Sequence, residues 1–307
     1  MLSRRGVIGA GLALGTIGLA GCSDKVNKVM GFASRMMEIE KRHGGRIGVA
    51  MTNGTDVASN ANLSIQSTDR FAHCSVFKWV LAAAVLQAVD QGKLSLGQKV
   101  RFGKSDLLDY APVTTKRVAE GGMALGDLCE AMVELSDNTA ANLVLPLVGG
   151  PAGLTAFVRG LGDTVTRFDR NEPDLNTNAD KDERDTSTPA SMSGLLRTVY
   201  TGTVLRPDSL LQLKTWMIGC KTGDARIRAG VPKDWVVADK TGTGDNGAAN
   251  DVAVLWPPNQ PPLFLAIYTS GGTLDTDGRN KVIADVARLV IDTLTFAQTL
   301  DSGESSS

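Results

Sequence analysis

Histidine is nearly absent from this chain: His43 and His73 are the only two in 307 residues. A catalytic zinc ordinarily takes three protein ligands rich in His or Cys, and no ligand-spaced cluster of these residues occurs. A Ser-His-Asp triad would have to rest on one of the two histidines. Neither sits in a G-x-S-x-G elbow, a motif the chain lacks. Metal-hydrolase and ordinary serine-hydrolase readings therefore find no support, and no metal or cofactor is implied. Charge of one sign is lacking too. The formal net charge is -1 with both signs spread along the chain, so no nucleic-acid partner is expected. Cysteine is sparse, at four residues.

The longest apolar stretch is short. Val7 to Ala20 follows Arg4 and Arg5 and ends in small residues, as export signals do, and falls short of a comfortable membrane span. Ser3-Arg4-Arg5 resembles the start of a twin-arginine signal. Leu19-Ala20-Gly21-Cys22 resembles a lipobox, whose cysteine would carry lipid and become the mature N-terminus; the alternative is an ordinary signal cut nearby. The expectation is an exported, periplasmic protein tethered to a membrane through Cys22. Cys74, Cys129 and Cys220 then remain, an odd number for an oxidising compartment. Each is expected to be a small buried apolar residue rather than half of a disulfide.

Periodicity predicts a helix over Val26–Arg42 and a strand over Arg46–Met51. Further helices are expected at Phe77–Val89, Leu125–Leu135, Thr139–Leu147 and Pro189–Tyr200. Arg167 to Thr188 is polar and aperiodic, a length of loop that in a compact domain is functional or disordered. Strands return at Trp235–Lys240, Asp251–Trp256 and Leu263–Tyr268, before an amphipathic helix at about Arg279–Phe296. This order predicts an α+β (α/β) fold: an antiparallel sheet built from both chain ends, flanked by the terminal helices, with a helical subdomain inserted. A leader over 1–22 precedes one domain over 23–300, and 301–307 is a Ser-rich disordered tail. The α/β part covers about 23–67 and 225–300, the helical part about 68–224, and their cleft is the natural site.

Three short motifs carry chemistry only in combination. Ser75-Val-Phe-Lys78 puts a hydroxyl and an ammonium on one face at a helix start, where backbone amides favour developing negative charge. Alone it reads first as an N-cap serine with a solvated lysine, since a chain this long yields about one such pattern by chance. Ser136-Asp137-Asn138 offers a hydroxyl for proton relay and a carboxamide for a substrate amide, or a simple helix cap. Lys-Thr-Gly occurs twice. Lys221-Thr222-Gly223 reads as the end of a helix with Gly in a cap role, whereas Lys240-Thr241-Gly242 closes a strand that suits an anionic, peptide-like ligand. Gly242 to Gly247 also fits G-x-G-x-x-G, but a strand rather than a helix follows, which excludes a nucleotide loop.

In this order the motifs resemble those of class A β-lactamases and penicillin-binding proteins. Arg170-Asn-Glu172-Pro-Asp-Leu-Asn176 in the long loop is similar to the signature loop of the class A enzymes. The resemblance spans the chain after Cys22 and implies hydrolysis of β-lactams through a serine acyl-enzyme. By it, Ser75 is the nucleophile and Ser136 protonates the leaving nitrogen. Lys78 lies between them, Glu172 activates the deacylating water held with Asn176, and either Lys78 or Glu172 takes the first proton. Backbone amides of Ser75 and Thr243 make the oxyanion hole. Asn138 holds the substrate's side-chain amide. Lys240, Thr241, Gly242 and Thr243 face its carboxylate, with Arg226, or else Arg228, adding positive charge. Tyr110 walls the cleft mouth, and Arg170 with Asp185 clamps the loop. Where some class A carbapenemases have a bridge partner for the cysteine before the nucleophile, here Cys74, this chain has Gly244. A monomer is expected. The alternatives are a D,D-peptidase, which would lack the Glu172 loop, and a lipid-tethered binding module without turnover.

Overall fold

Leu263 to Tyr268 alternates between two cores, and that alternation decides how the layers stack. In the computed structural model, which describes residues 22–54 and 63–301, Leu263, Leu265 and Ile267 join one apolar cluster while Phe264, Ala266 and Tyr268 join the other. Side chains of successive strand residues point to opposite faces, so a strand apolar throughout must be covered on both sides. The sheet comprises β1 (Gly45–Asn53), β2 (Leu63–Ile65), β3 (Val236–Thr243), β4 (Ala249–Trp256) and β5 (Leu263–Gly271). Its order is β2-β1-β5-β4-β3, antiparallel throughout. Gly45 pairs with Gly271 and Asn53 with Leu263, so the two ends of the chain share its centre.

One face carries the terminal helices α1 (Cys22–His43) and α8 (Thr276–Asp301), through Phe32, Met36 and Ile39 from the first and Val282 to Leu294 from the second. The other face meets the inserted helical part. Its centre is α2 (Phe77–Asp90), in which Phe77 to Leu86 are all buried. A helix apolar on every side belongs in a core, each buried Val or Leu contributing about 1.5–3 kcal/mol. Around it pack α3 (Leu125–Glu134), α4 (Asn138–Val144), α5 (Gly150–Gly160), α6 (Pro189–Thr201) and α7 (Pro207–Ile218). Lys78 is the one charged side chain among the ten buried residues of α2, a placement that requires partners.

The fold is the α+β arrangement expected, with elements two to five residues longer at several ends. The last helix, for example, runs to Asp301. Among the described residues no single helix is long and apolar enough to cross a membrane. Cys74, Cys129 and Cys220 are buried free thiols. The expected leader, the side chain of Cys22 and the tail from 302 onward lie outside the described residues.

Candidate active site

The start of α2 is held in an uncommon backbone. Cys74 has φ +47°, and a three-residue 3-10 turn, Cys74–Val76, lifts Ser75 ahead of the helix. Asn250 on β4 fixes the approach, donating from Nδ2 to the carbonyls of Ala72 (2.8 Å) and His73 (3.3 Å). β3 lies against this turn: a Cβ on Gly242 would stand 2.6 Å from the His73 carbonyl oxygen, so only glycine permits the contact. His73 is engaged with the carbonyls of Cys74 (2.9 Å) and Arg167 (3.3 Å), and burial lowers its pKa. It serves as framework, consistent with the absence of a histidine triad.

Ser75, Lys78, Ser136 and Glu172 meet in one hydrogen-bonded cluster. Ser75 Oγ donates to Glu172 Oε1 at 2.8 Å, and Lys78 Nζ reaches Ser75 Oγ at 2.9 Å. Lys78 also donates to Ser136 O (2.8 Å), Ser136 Oγ (3.3 Å) and Asn138 Oδ1 (2.5 Å), and pairs with Glu172 Oε1 at 2.9 Å. Asn176 Nδ2 donates to Glu172 Oε2 at 2.5 Å. Burial pushes the Glu172 pKa up, but the Lys78 charge and hydrogen bonds from Lys78, Ser75 and Asn176 outweigh it, leaving the carboxyl below its ordinary range. Burial pulls Lys78 down, opposed by Glu172.

The second motif caps a helix and also reaches the cluster. Asp137 caps α4, accepting from Ala140 N at 2.8 Å, and also holds Val113 N and Thr114 N at 2.9 Å each. Ser136, at φ +57°, and Asn138 turn toward Lys78. The Tyr110 carbonyl accepts from Asn138 N at 3.0 Å, and the residue is 52% exposed. The long loop is clamped as expected by Arg170 Nε on Asp185 Oδ2 (2.6 Å), with a cis Glu172–Pro173 bond between.

A sequence model described as the β-lactamase enzyme family matches residues 31–294. β-Lactamase OXY-2 of Klebsiella oxytoca is 42% identical over 260 residues, covering 85% of this chain and 88% of that protein. β-Lactamase SME-1 of Serratia marcescens is 42% identical over 277 residues, 90% and 93% of the two. The solved class A β-lactamase of the last common ancestor of Gram-negative bacteria (GNCA4) superposes with TM-score 0.82 at 53% identity, covering 85% of this chain and 98% of the other. The chain belongs to the class A β-lactamases. It is a hydrolase of β-lactams, and the serine acyl-enzyme mechanism is general to its family.

On the other wall of this β-lactamase's cleft, Lys240 Nζ donates to Ser136 Oγ (3.1 Å) and to Thr241 O (2.9 Å). Lys240 is fully buried, and burial together with the nearby Lys78 charge brings its pKa to about 8. Arg226 is also buried; it donates to Gly242 O (2.8 Å), Asn250 O (2.7 Å) and Thr243 Oγ1 (2.7 Å). Arg228 instead pairs with Asp239 and Asp224, which removes it as the alternative. One expectation fails. Gly223 does not end a helix: α7 stops at Ile218 with Gly219 as its cap. A Cβ on Gly223 would collide with Asp239 Oδ2, so this glycine serves close approach.

Sequence reasoning missed Asn142, whose Nδ2 donates to Glu172 O (2.8 Å) and whose Oδ1 accepts from Glu172 N (3.0 Å). Its position four residues after Asn138 on one helix face was the available signal. Gly244 abuts both Asn176 and Cys74: a Cβ there would lie 2.5 Å from Asn176 O and 2.7 Å from Cys74 Sγ.

Proposed function

We propose that Ser75 opens the β-lactam ring as nucleophile and that Glu172 takes its proton directly. The observation that carries this is the Ser75 Oγ to Glu172 Oε1 hydrogen bond at 2.8 Å, beside a lysine surrounded by acceptors. A carboxylate held ionised by its neighbours can only accept, while a lysine with five oxygen partners acts as donor. As Ser75 Oγ bonds to the carbonyl carbon and the ring C–N bond breaks, Ser136 gives its proton to the departing nitrogen. Lys78 reprotonates Ser136 and recovers a proton from Glu172. Glu172, again a carboxylate, then takes a proton from the water that cleaves the ester, with Asn142 and Asn176 fixing its direction. The amides of Ser75 and Thr243 form the oxyanion hole, and Asn138 and Tyr110 line the substrate's side-chain end.

Mixing the purified protein with benzylpenicillin and following both turnover and intact mass tests this reading. Rapid hydrolysis is expected, abolished by Ser75→Ala. A stable adduct without turnover would indicate a D,D-peptidase, and neither adduct nor turnover a non-catalytic module.

Lys240, with Thr241, Gly242 and Thr243, receives the substrate carboxylate. A lysine at about pH 8 is charged below that value and neutral above it. The kcat/KM profile for a carboxylate-bearing penicillin reports the free enzyme, so it should fall on an alkaline limb near pH 8. In Lys240→Arg that limb should move beyond the measurable range, because guanidinium keeps its proton. Coincident limbs in the two proteins would remove Lys240 from this role.

The lipobox-like run Leu19-Ala20-Gly21-Cys22 supports export and a lipid tether at Cys22.

A further inference from the structure

The first Lys-Thr-Gly run has no part in the steps above, yet it folds back on the second. Lys221 N donates to Glu134 O at 2.9 Å, Gly223 allows contact with Asp239, and Thr222 Oγ1 comes within 2.5 Å of Thr241 Oγ1. The two threonine hydroxyls of the carboxylate pocket are thus held differently. Thr243 Oγ1 accepts from Arg226 Nη2 at 2.7 Å. A guanidinium only donates, so the Thr243 proton must point elsewhere and is free for a ligand. Thr241 is held by another hydroxyl, and such a pair can be wired either way. If Thr222 accepts, the Thr241 proton is consumed inside the protein. If Thr222 donates, Thr241 is set to donate outward.

The surroundings of Thr222 favour the second wiring once an anion arrives. Its other polar neighbour is Cys220 Sγ at 3.4 Å, a thiol that burial keeps protonated with a pKa of about 11. An S–H is a weak donor and sulfur a weak acceptor, so little holds the Thr222 proton away from Thr241. Thr222 is half-buried and carries no charge.

We propose that Thr222 is a positioning residue for the substrate carboxylate: its hydroxyl donates to Thr241 and thereby turns the Thr241 proton toward the carboxylate. This rests on the reading of Lys240 to Thr243 as the carboxylate pocket.

Steady-state kinetics on benzylpenicillin with Thr222→Val, Thr222→Ser, Thr241→Val and the double Val variant test it. Thr222→Val keeps the shape and loses the proton. KM should rise about fivefold with kcat within about twofold, the loss of one oriented hydrogen bond felt in binding. Thr222→Ser should restore the KM, and in the Thr241→Val background Thr222→Val should add nothing, because the effect runs through Thr241. An unchanged KM in Thr222→Val would overturn the proposal. So would a serine variant as poor as the valine one, or losses that simply add in the double variant. If the unsubstituted enzyme itself neither turns over nor forms an adduct at Ser75, the reading of the whole site falls; a normal unsubstituted enzyme with a flat Thr222→Val result removes Thr222 alone.

Discussion

Replacing Glu172 by alanine is expected to leave the enzyme able to acylate Ser75 but nearly unable to release the product. Two functions are removed at once. Ser75 loses the acceptor at 2.8 Å, and the ester loses the base that would activate its water. The first loss has a substitute. Without the carboxylate, the buried Lys78 loses the strongest influence opposing burial, which lowers its pKa further and makes it an amine better able to take the serine proton. The second loss has none within the cluster, since Asn142 and Asn176 lack a basic atom. Steady-state kcat should fall by about 10²–10⁴, the range for removal of a positioned base. A burst equal to the enzyme concentration should precede it, with the intact mass raised by one opened benzylpenicillin. Glu172→Gln, which keeps the volume, should behave alike. Steady-state hydrolysis at the unsubstituted rate would refute the assignment.

Lys78→Met should fail at the earlier step. The methionine takes the lysine's place but can neither relay the Glu172 proton nor donate to Ser136, which keeps only Lys240 at 3.1 Å, so protonation of the departing nitrogen is impaired and kcat/KM should drop by about 10³ without accumulation of adduct. The fold should suffer as well. Glu172 and Lys78 are paired at 2.9 Å with both side chains shielded from water, and removing one partner of such a pair costs about 3–5 kcal/mol. The loss should depend on pH in a defined direction. In the unsubstituted protein the Glu172 pKa is lowered on folding, so its contribution is present above the unfolded carboxyl pKa and is lost as pH falls through the folded one. In Lys78→Met only the hydrogen bonds from Ser75 and Asn176 oppose burial, and that pKa rises. The protonated form then suits the fold, and stability is lost as pH rises from the unfolded pKa toward the folded one. Thermal denaturation should therefore show a larger deficit at pH 8 than at pH 5. A deficit independent of pH would mean that the pair does not hold Glu172 ionised.

The layers were readable in the sequence because apolar periodicity is local. Leu263–Tyr268 and Phe77–Leu86 declare themselves apolar on all sides, and their lengths separate strand from helix. The catalytic groups were readable because Ser75–Lys78 and Ser136–Asn138 each keep their spacing within a turn or two. What escaped depends on segments distant in the chain. Asn142 and Asn250 are ordinary helix and strand residues until the long loop and the nucleophile turn arrive against them. Gly242 looks like part of a motif, yet its need for glycine comes from the His73 carbonyl opposite. The first Lys-Thr-Gly was misread as a helix end because Gly219, four residues earlier, already supplies that end.

The pairing of β1 with β5 also fixes when the molecule can become active during its synthesis. Gly45–Asn53 is made long before its partner, Leu263–Gly271. Ser75 and Lys78 are therefore synthesised long before Lys240, and a partly made chain holds a nucleophile with no pocket opposite it. Until β5 forms, β1 and β4 each present a bare, apolar edge, the kind of surface on which unfinished chains aggregate. A chain ending before Leu263 should be recovered as insoluble material rather than as a weak enzyme.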